Sequence, residues 1–181
     1  MLSSDSAHGS MHPGMEMFQL VDRDGNPTGQ APRAVCHGDP TLIHLVVHLH
    51  VFDGQGRLYL QRRARTKDTN PGLWDTSVGG HVSAGETVPQ ALAREAREEL
   101  SILAGDARPL YGFLYEGSFE SEYARCFALT WTGPITPDPE EIEAGRFHTL
   151  AEVDSMVGTG KLTPLFEREW PMLKRSLGAD R

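Results

Sequence analysis

The sequence predicts an α/β fold in one domain, and three features of the 181-residue chain carry that prediction. A run rich in β-branched residues, 42–52, is typical of a long buried strand. A helix is predicted over residues 87–100, where a capping-box pattern and a proline in the first turn favour a helix start. Further strands and helices follow without an internal repeat or a linker, so we expect residues 15–181 to form one domain after a disordered tail, residues 1–14.

The other elements follow from local patterns in chain order. A turn, Asp24-Gly25-Asn26, ends a first short strand, and Asp53-Gly54-Gln55-Gly56 connects the long strand to the next one as a hairpin. A polar loop then leads to a further short strand. The predicted strands besides the long one cover residues 17–22, 57–62, 73–78, 110–115, 123–131 and 146–149. Two helices are predicted at 150–157 and 164–177, and Pro171 is expected to kink or divide the second.

Charge and composition limit the classes of function. The formal net charge of −8 offers no basic surplus, which argues against binding a nucleic acid polymer. No stretch approaches the roughly 18–20 apolar residues of a membrane span. Cys36 and Cys126 form no CxxC pair and are too few for a disulfide framework. Because the N-terminal segment also lacks the pattern of a secretory signal, we expect a cytoplasmic protein, either a monomer or a homodimer.

Three glutamates of the predicted helix share one face. At about 100° per residue, Glu98 lies about 60° to one side of Glu95 and Glu99 about 40° to the other. Like charges at this spacing repel each other, and a divalent cation with oxygen ligands, such as Mg²⁺, would relieve the repulsion. A solvated acidic helix face is the ordinary alternative. We expect Glu86 to hold Arg94, with Arg94 on the opposite flank of the helix from the three carboxylates.

The segment GHVSAGETVPQALAREAREELSI, residues 80–102, resembles the Nudix box. Seven defined positions match at the required spacing: Gly80, Glu86, Arg94, Glu95, Glu98, Glu99 and Ile102. Two positions depart from the pattern, since Ala96 is smaller than the usual aliphatic residue and Ser101 replaces the final glycine, which affects how the helix ends.

The resemblance implies a Nudix fold, which is a mixed β-sheet sandwiched between α-helices. It also implies a hydrolase that cleaves a phosphoanhydride bond of a small-molecule diphosphate, with a nucleoside or an isoprenoid as the other group. Glu95, Glu98 and Glu99 would bind Mg²⁺, or Mn²⁺ in its place, with help from the Gly80 carbonyl. The cation would polarise the phosphoryl group and activate a water molecule.

A longer stretch, about residues 18–131, is similar to the isopentenyl-diphosphate-isomerase branch of this family. It includes VDRDGNPTG, QRRARTKDTNPGLWDTSVGGH and ESEY. In the isomerases five residues of this pattern bind a metal, and the matching positions here are His37, His44, His81, Glu120 and Glu122. The resemblance implies a second site for Zn²⁺, Mn²⁺ or Mg²⁺, and imidazole ligands favour transition metals. Taken singly, each histidine is as readily an ordinary strand or surface residue.

The isomerase chemistry depends on a cysteine two residues before the histidine of the Gly-His pair, and the matching residue here is Gly79. Glycine carries no proton, so the sequence favours hydrolysis over isomerisation, which stays as an alternative. A non-catalytic nucleotide-binding module is a further alternative, disfavoured by the intact glutamates. The resemblance also assigns Arg63 and Lys67 to the diphosphate, because guanidinium pairs with phosphate bidentately. We expect Trp74 in the core, while the substrate and the choice of general base stay open.

Overall fold

A computed structural model describes residues 16–179, so the predicted tail, residues 1–14, lies outside the described residues. Within that range the elements are β1 (Met17–Val21), β2 (Pro27–Pro32), α1 (Arg33–Cys36), β3 (Ile43–Phe52), β4 (Leu58–Arg63), β5 (Trp74–Asp75), β6 (Val78–His81), α2 (Val88–Leu100), β7 (Arg108–Glu116), β8 (Ser121–Thr130), β9 (Ile142–His148), α3 (Leu150–Met156) and α4 (Pro164–Ala179). None of the described helices combines the length and the apolar content that crossing a bilayer requires.

Strand β3 is the centre of a mixed sheet. Strand β8 runs parallel to it over its whole length, from Ile43 opposite Ser121 to Phe52 opposite Thr130. Strands β1, β4 and β6 pair with β3 in the antiparallel direction. Strand β7 forms an antiparallel pair with β8, while β5 and β9 flank β4. The glycine-rich strand β6 therefore lies directly beside β3.

Alternation along β3 separates the two faces of the sheet, because successive side chains of a strand point to opposite sides. Four odd-numbered residues of β3 pack with the buried side of α2 in one apolar cluster: Leu45, Val47, Leu49 and Val51. Leu58 and Leu60 of β4 pack instead with Phe166 and Trp170 of α4. Each such buried side chain contributes roughly 1.5–3 kcal/mol. The sheet consequently lies between α2 on one side and α3 and α4 on the other.

The structure differs from the predictions at three places. The predicted strand 73–78 is wrong in extent, because Thr76 and Ser77 separate β5 from β6. The backbone N–H of Thr76 donates to Asp75 Oδ1 at 2.8 Å, and Ser77 Oγ donates to the buried carbonyl of Tyr59 at 2.5 Å. Strand β2 and the short helix α1 were not predicted, since the exposed β2 lacks an apolar alternation. Pro171 lies inside α4 and does not divide it, while the alternative of a kink at Pro171 stays a prediction.

Candidate active site

Most of the candidate residues that the sequence singled out line one cleft of about 1160 Å³, whereas Glu86 and His44 are not part of its lining. The cleft lies between the outer face of α2, strand β6, the loop after β4 and the turn between β7 and β8. Its walls include Arg63, Lys67, Gly80, His81, Arg94, Glu95, Glu98, Glu99, His37, Glu120 and Glu122. His44 lies just behind this wall with no exposed surface. Helix α2, strand β6 and the histidine-containing segments thus meet at the same place.

Gly80 allows α2 to approach the sheet closely. A Cβ atom at this position would overlap the carboxyl carbon of Glu95 by roughly 1.5 Å relative to an ordinary carbon–carbon contact. The other end of α2 is shaped by Ser101, which adopts the left-handed conformation with φ 57° and ψ 35°. That conformation is the one glycine favours at helix ends, so the serine keeps the geometry at some conformational cost.

Arg94 connects the start of α2 to the acidic face. Its Nε and Nη2 atoms each donate to the Glu86 carboxylate at 2.9 Å, so the expected contact between these residues is present. The expectation that Arg94 lies on the opposite flank is wrong. Nη1 donates to Glu95 at 2.7 Å and to Glu98 at 3.1 Å. Glu98 lies one helical turn after Arg94, and the long guanidinium side chain also reaches back to the carboxylate of the adjacent Glu95. Arg94 therefore partly neutralises this face.

Burial controls the charge state of the two inner glutamates. Burial raises the pKa of Glu95 to about 7, although the charge and hydrogen bond of Arg94 lower it. Burial, with the nearby charge of Glu95, raises the pKa of Glu99 well above its ordinary value. Glu99 accepts hydrogen bonds from Gln61 Nε2 at 2.9 Å and from the Gly79 backbone N–H at 3.4 Å. A divalent cation would replace protons here, because metal ligands must be deprotonated.

The histidine set forms a compact group. The donor atoms of His37, His44 and His81 lie within 4.8 Å of one another, as do those of His44, Glu120 and Glu122. The ring of His81 stacks on Phe18 with centroids 3.9 Å apart, which fixes its plane. The pairing of β3 with β8 places His44 opposite Glu122.

This group fits a metal by its unused donor atoms. His37 Nε2, both ring nitrogens of His44 and Glu120 Oε2 are buried without a well-aligned hydrogen bond among the described residues, although His37 Nε2 lies 3.2 Å from Glu120 Oε2 and His44 Nε2 lies 3.5 Å from Glu122 Oε1. Buried unpaired polar atoms are costly, and a cation would satisfy them. Burial lowers the pKa of His37 to about 4 and that of His81 well below 6.5, so both rings are neutral at neutral pH, the form in which imidazole can bind a metal. By contrast, the oxygens of the three α2 glutamates form no such compact group within the described range.

Both predicted phosphate-binding cations lie in the cleft, and each has a partner in the protein. Arg63 donates from Nε to the carbonyl of Thr69 at 3.1 Å and lies 3.6 Å from Asp75 Oδ2. Lys67 forms an ion pair with Glu141. Trp74 is half-buried and packs with the α4 cluster, in agreement with its expected place in the core.

Sequence reasoning missed a buried pair at the back of the cleft. His48 on β3 contacts Glu169 on α4 through Nδ1, at 2.8 Å from Oε2. His50 contacts the other oxygen of the same carboxylate at 2.7 Å. Two features of the sequence could have indicated this pair. Histidines recur at alternate positions of β3, and Glu169 lies beside Trp170 on an apolar face of α4.

The chain is therefore an α/β protein in which a mixed sheet lies between helices, and the glutamates of helix α2 line the cleft. Residues 42–175 match the family model described as NUDIX domain. The chain belongs to the Nudix family, and the predicted Nudix fold is confirmed.

Relatives and solved structures agree with this assignment. The isopentenyl-diphosphate Delta-isomerase of Brevibacterium linens is 36% identical over 149 residues, covering 79% of this chain and 82% of its own length. The protein of the same name from Leifsonia xyli subsp. xyli is 36% identical over 172 residues and covers 91% of each chain. The structure of DR0079 from Deinococcus radiodurans has a TM-score of 0.69 at 29% identity, covering 82% of this chain and 92% of that one. A MutT protein from Methanosarcina mazei Go1, with a TM-score of 0.64 at 22% identity and 72% and 92% coverage, shares the fold.

Proposed function

We propose that this Nudix protein is a Mg²⁺-dependent hydrolase that cleaves a phosphoanhydride bond of a nucleoside or isoprenoid diphosphate. One observation carries the proposal. At Gly79 the cleft wall has no side chain where the isomerases hold their cysteine, while Glu95, Glu98 and Glu99 stand on the adjacent helix face. The cleft therefore offers groups suited to water and phosphate but no thiol for moving a proton on an alkene.

The roles of the residues follow from their positions. Glu95, Glu98 and Glu99 would hold Mg²⁺ with the Gly80 carbonyl, once the cation replaces the contacts that Arg94 makes with two of them. When bound, Mg²⁺ supplies polarisation of the phosphoryl group and a lowered pKa for the attacking water.

Other groups in the cleft bind the phosphates and accept the proton. Lys67 and Arg63 would exchange their internal partners for phosphate oxygens, to which charge-assisted hydrogen bonds are strong. One of the three α2 glutamates would also accept the proton of the attacking water, since a carboxylate within hydrogen-bond reach can act as a general base. The water oxygen bonds to phosphorus as the bridging phosphoanhydride bond breaks, and the released phosphate carries away the negative charge.

We propose in addition that the histidine set holds a second divalent cation. Four buried donor atoms without well-aligned hydrogen bonds and two neutral imidazoles support this assignment. Three imidazoles favour Zn²⁺ or Mn²⁺ over Mg²⁺.

An isomerase acting on isopentenyl diphosphate is the second candidate, and the names of the relatives at 36% identity favour it. The deciding experiment incubates the protein with isopentenyl diphosphate and, in parallel, with a panel of nucleoside diphosphates and triphosphates, with and without Mg²⁺. We expect Mg²⁺-dependent release of phosphate or pyrophosphate from at least one compound and no dimethylallyl diphosphate. Formation of dimethylallyl diphosphate without phosphate release would overturn the hydrolase assignment. Tight nucleotide binding without turnover would favour a binding module.

The same assay tests the glutamates. Glu99→Gln removes one buried carboxylate while leaving an acceptor for Gln61, so we expect kcat to fall by about a thousandfold or more with the fold retained. Glu140→Gln is the matched control, because Glu140 also lines the cleft but lies outside α2. Equal activity in the two variants would remove Glu99 from the metal-binding set.

A further inference from the structure

His48 and Glu169, outside the residues assigned so far, form a buried pair at the back of the cleft beside Gly79. Glu169 has no exposed surface, and its carboxylate accepts hydrogen bonds from His48, His50 and the hydroxyl of Tyr111, the last at 3.2 Å. These three donors, which lie on β3 and β7, fix the position of the buried carboxylate. The Glu169 carboxylate in turn fixes the ring of His48.

The second ring nitrogen of His48 faces the cleft. Because Nδ1 is held by Glu169, Nε2 points away from α4, and His48 lines the cleft wall together with Gly79. The two residues are paired in the β3–β6 ladder, and a Cβ atom placed on Gly79 would lie 3.8 Å from Nε2. A larger side chain at residue 79 would stand between Nε2 and the cleft, so the glycine is what opens access to this nitrogen.

The charges of the pair favour a proton on Nε2. Burial alone would lower the pKa of His48, but the negative charge of Glu169 and its hydrogen bond raise it to about 9. Although burial raises the pKa of Glu169, the positive charges of His48 and His50 and their hydrogen bonds hold it well below its ordinary value. The imidazolium ring, tied at Nδ1, then offers one N–H to the cleft.

A metal ion between these residues does not fit this geometry. His48, Cys126 and Glu169 have donor atoms within 4.8 Å of one another. However, the 2.8 Å separation of Nδ1 and Oε2 is a hydrogen-bond distance, whereas two ligands at about 2.0–2.1 Å from a tetrahedral ion lie roughly 3.4 Å apart. Burial also raises the pKa of the Cys126 thiol well above its ordinary value, which keeps it protonated.

We propose that His48 Nε2 donates a hydrogen bond to a phosphate oxygen of the bound substrate, with Glu169 as the residue that positions the ring. The inference rests on the proposed function in one respect, which is that the cleft takes a diphosphate. It adds a contact on the β3 side of the cleft, opposite the acidic face of α2. Gly79 contributes to this contact because it leaves His48 Nε2 uncovered.

His48→Asn is the sharpest variant, because the asparagine amide reaches the position of Nδ1 and keeps the contact with Glu169 while removing the cleft-facing nitrogen. We expect kcat/KM for the best substrate of the screen to fall roughly 10- to 100-fold, as for the loss of one charged hydrogen bond. His148→Asn is the matched control, since His148 is also a buried histidine but neither lines the cleft nor contacts Glu169. Its kcat/KM should stay close to the wild-type value.

Two further variants make the result independent of folding defects. His48→Gln places an amide near the position of Nε2 and should retain more of the wild-type kcat/KM than His48→Asn. Gly79→Val leaves the pair intact and covers Nε2, so it should lower kcat/KM even if His48→Asn does not fold. Wild-type kcat/KM in a folded His48→Asn protein, or equal losses in His48→Asn and His148→Asn, would overturn the proposal.

Glu169→Gln tests the positioning role through a spectroscopic signal. At neutral pH, nitrogen-15 NMR of the His48 ring should show both ring nitrogens protonated in the wild type and a mixture of neutral tautomers in Glu169→Gln. If Glu169 acts only as a packing residue, thermal stability changes while the ring signals stay as in the wild type.

Calorimetric binding of methylenediphosphonate, a diphosphate mimic that water does not cleave, separates this inference from the proposed function. In the presence of Mg²⁺ its Kd should rise roughly 10-fold or more in His48→Asn and little in His148→Asn. Such a difference without turnover of any compound would contradict the hydrolase while supporting the His48 contact. Turnover of a substrate, with the same Kd for methylenediphosphonate in both variants, would support the hydrolase and contradict the His48 contact.

Discussion

The close approach of Gly80 to Glu95 leads to the sharpest test of the metal site. In Gly80→Ala a new methyl group would overlap the carboxyl carbon of Glu95 by roughly 1.5 Å, and the end of that flexible side chain is what must move. Metal–ligand distances tolerate only about 0.2 Å. A displacement of about 1 Å in a catalytic group costs on the order of 100-fold in rate.

We therefore expect Gly80→Ala to lose at least about 100-fold in kcat/KM and to need more Mg²⁺ for half-maximal activity. Overpacking should cost about 1–3 kcal/mol of the free energy of unfolding, so the protein stays folded. Gly29→Ala is the control, because a Cβ atom there meets no other atom within 4 Å and Gly29 does not line the cleft, so its kcat/KM should stay close to the wild-type value. Steady-state kinetics over a Mg²⁺ series and urea denaturation provide the measurements. Wild-type kcat/KM and Mg²⁺ dependence in Gly80→Ala would refute the assignment of Glu95 and Gly80 to the metal site.

Two further predictions concern protons and metal. Because the pKa of Glu95 is raised from 4.5 to about 7 in the folded protein, its protonated form stabilises the fold below pH 4.5, and this contribution is lost as pH rises through 7. Between pH 5 and 8, urea denaturation in EDTA should show a loss about 2–3 kcal/mol larger in the wild type than in Glu95→Gln, where only Glu99 still titrates. Saturating Mg²⁺ should reduce the loss in the wild type. The second site should retain a transition metal through dialysis, and elemental analysis should show its loss in His37→Gln but not in Glu99→Gln. Equal metal content in those two variants would contradict the separate second site.

The sequence by itself determined the half of the site that lies within one short segment. Residues 80–102 contain the loop, the capping box and the helix, and helical periodicity alone places Glu95, Glu98 and Glu99 on one face. The reach of Arg94 was misjudged, since periodicity gives directions of Cβ atoms and not the path of a long side chain. The mixed sheet followed from the resemblance, and the structure confirms it.

The rest of the cleft was decided by strand register and by packing between distant segments. The parallel pairing of β3 with β8 places His44 opposite Glu122, and a one-residue slip would point the histidines of β3 towards α2. His48 and Glu169 are 121 residues apart, and nothing local to either residue specifies their contact. Contacts within a helix depend on its own repeat, whereas contacts between a strand and a distant helix depend on strand register and on how the helix packs on the sheet. For this reason only the tertiary structure revealed the pair formed by His48 and Glu169 beside Gly79.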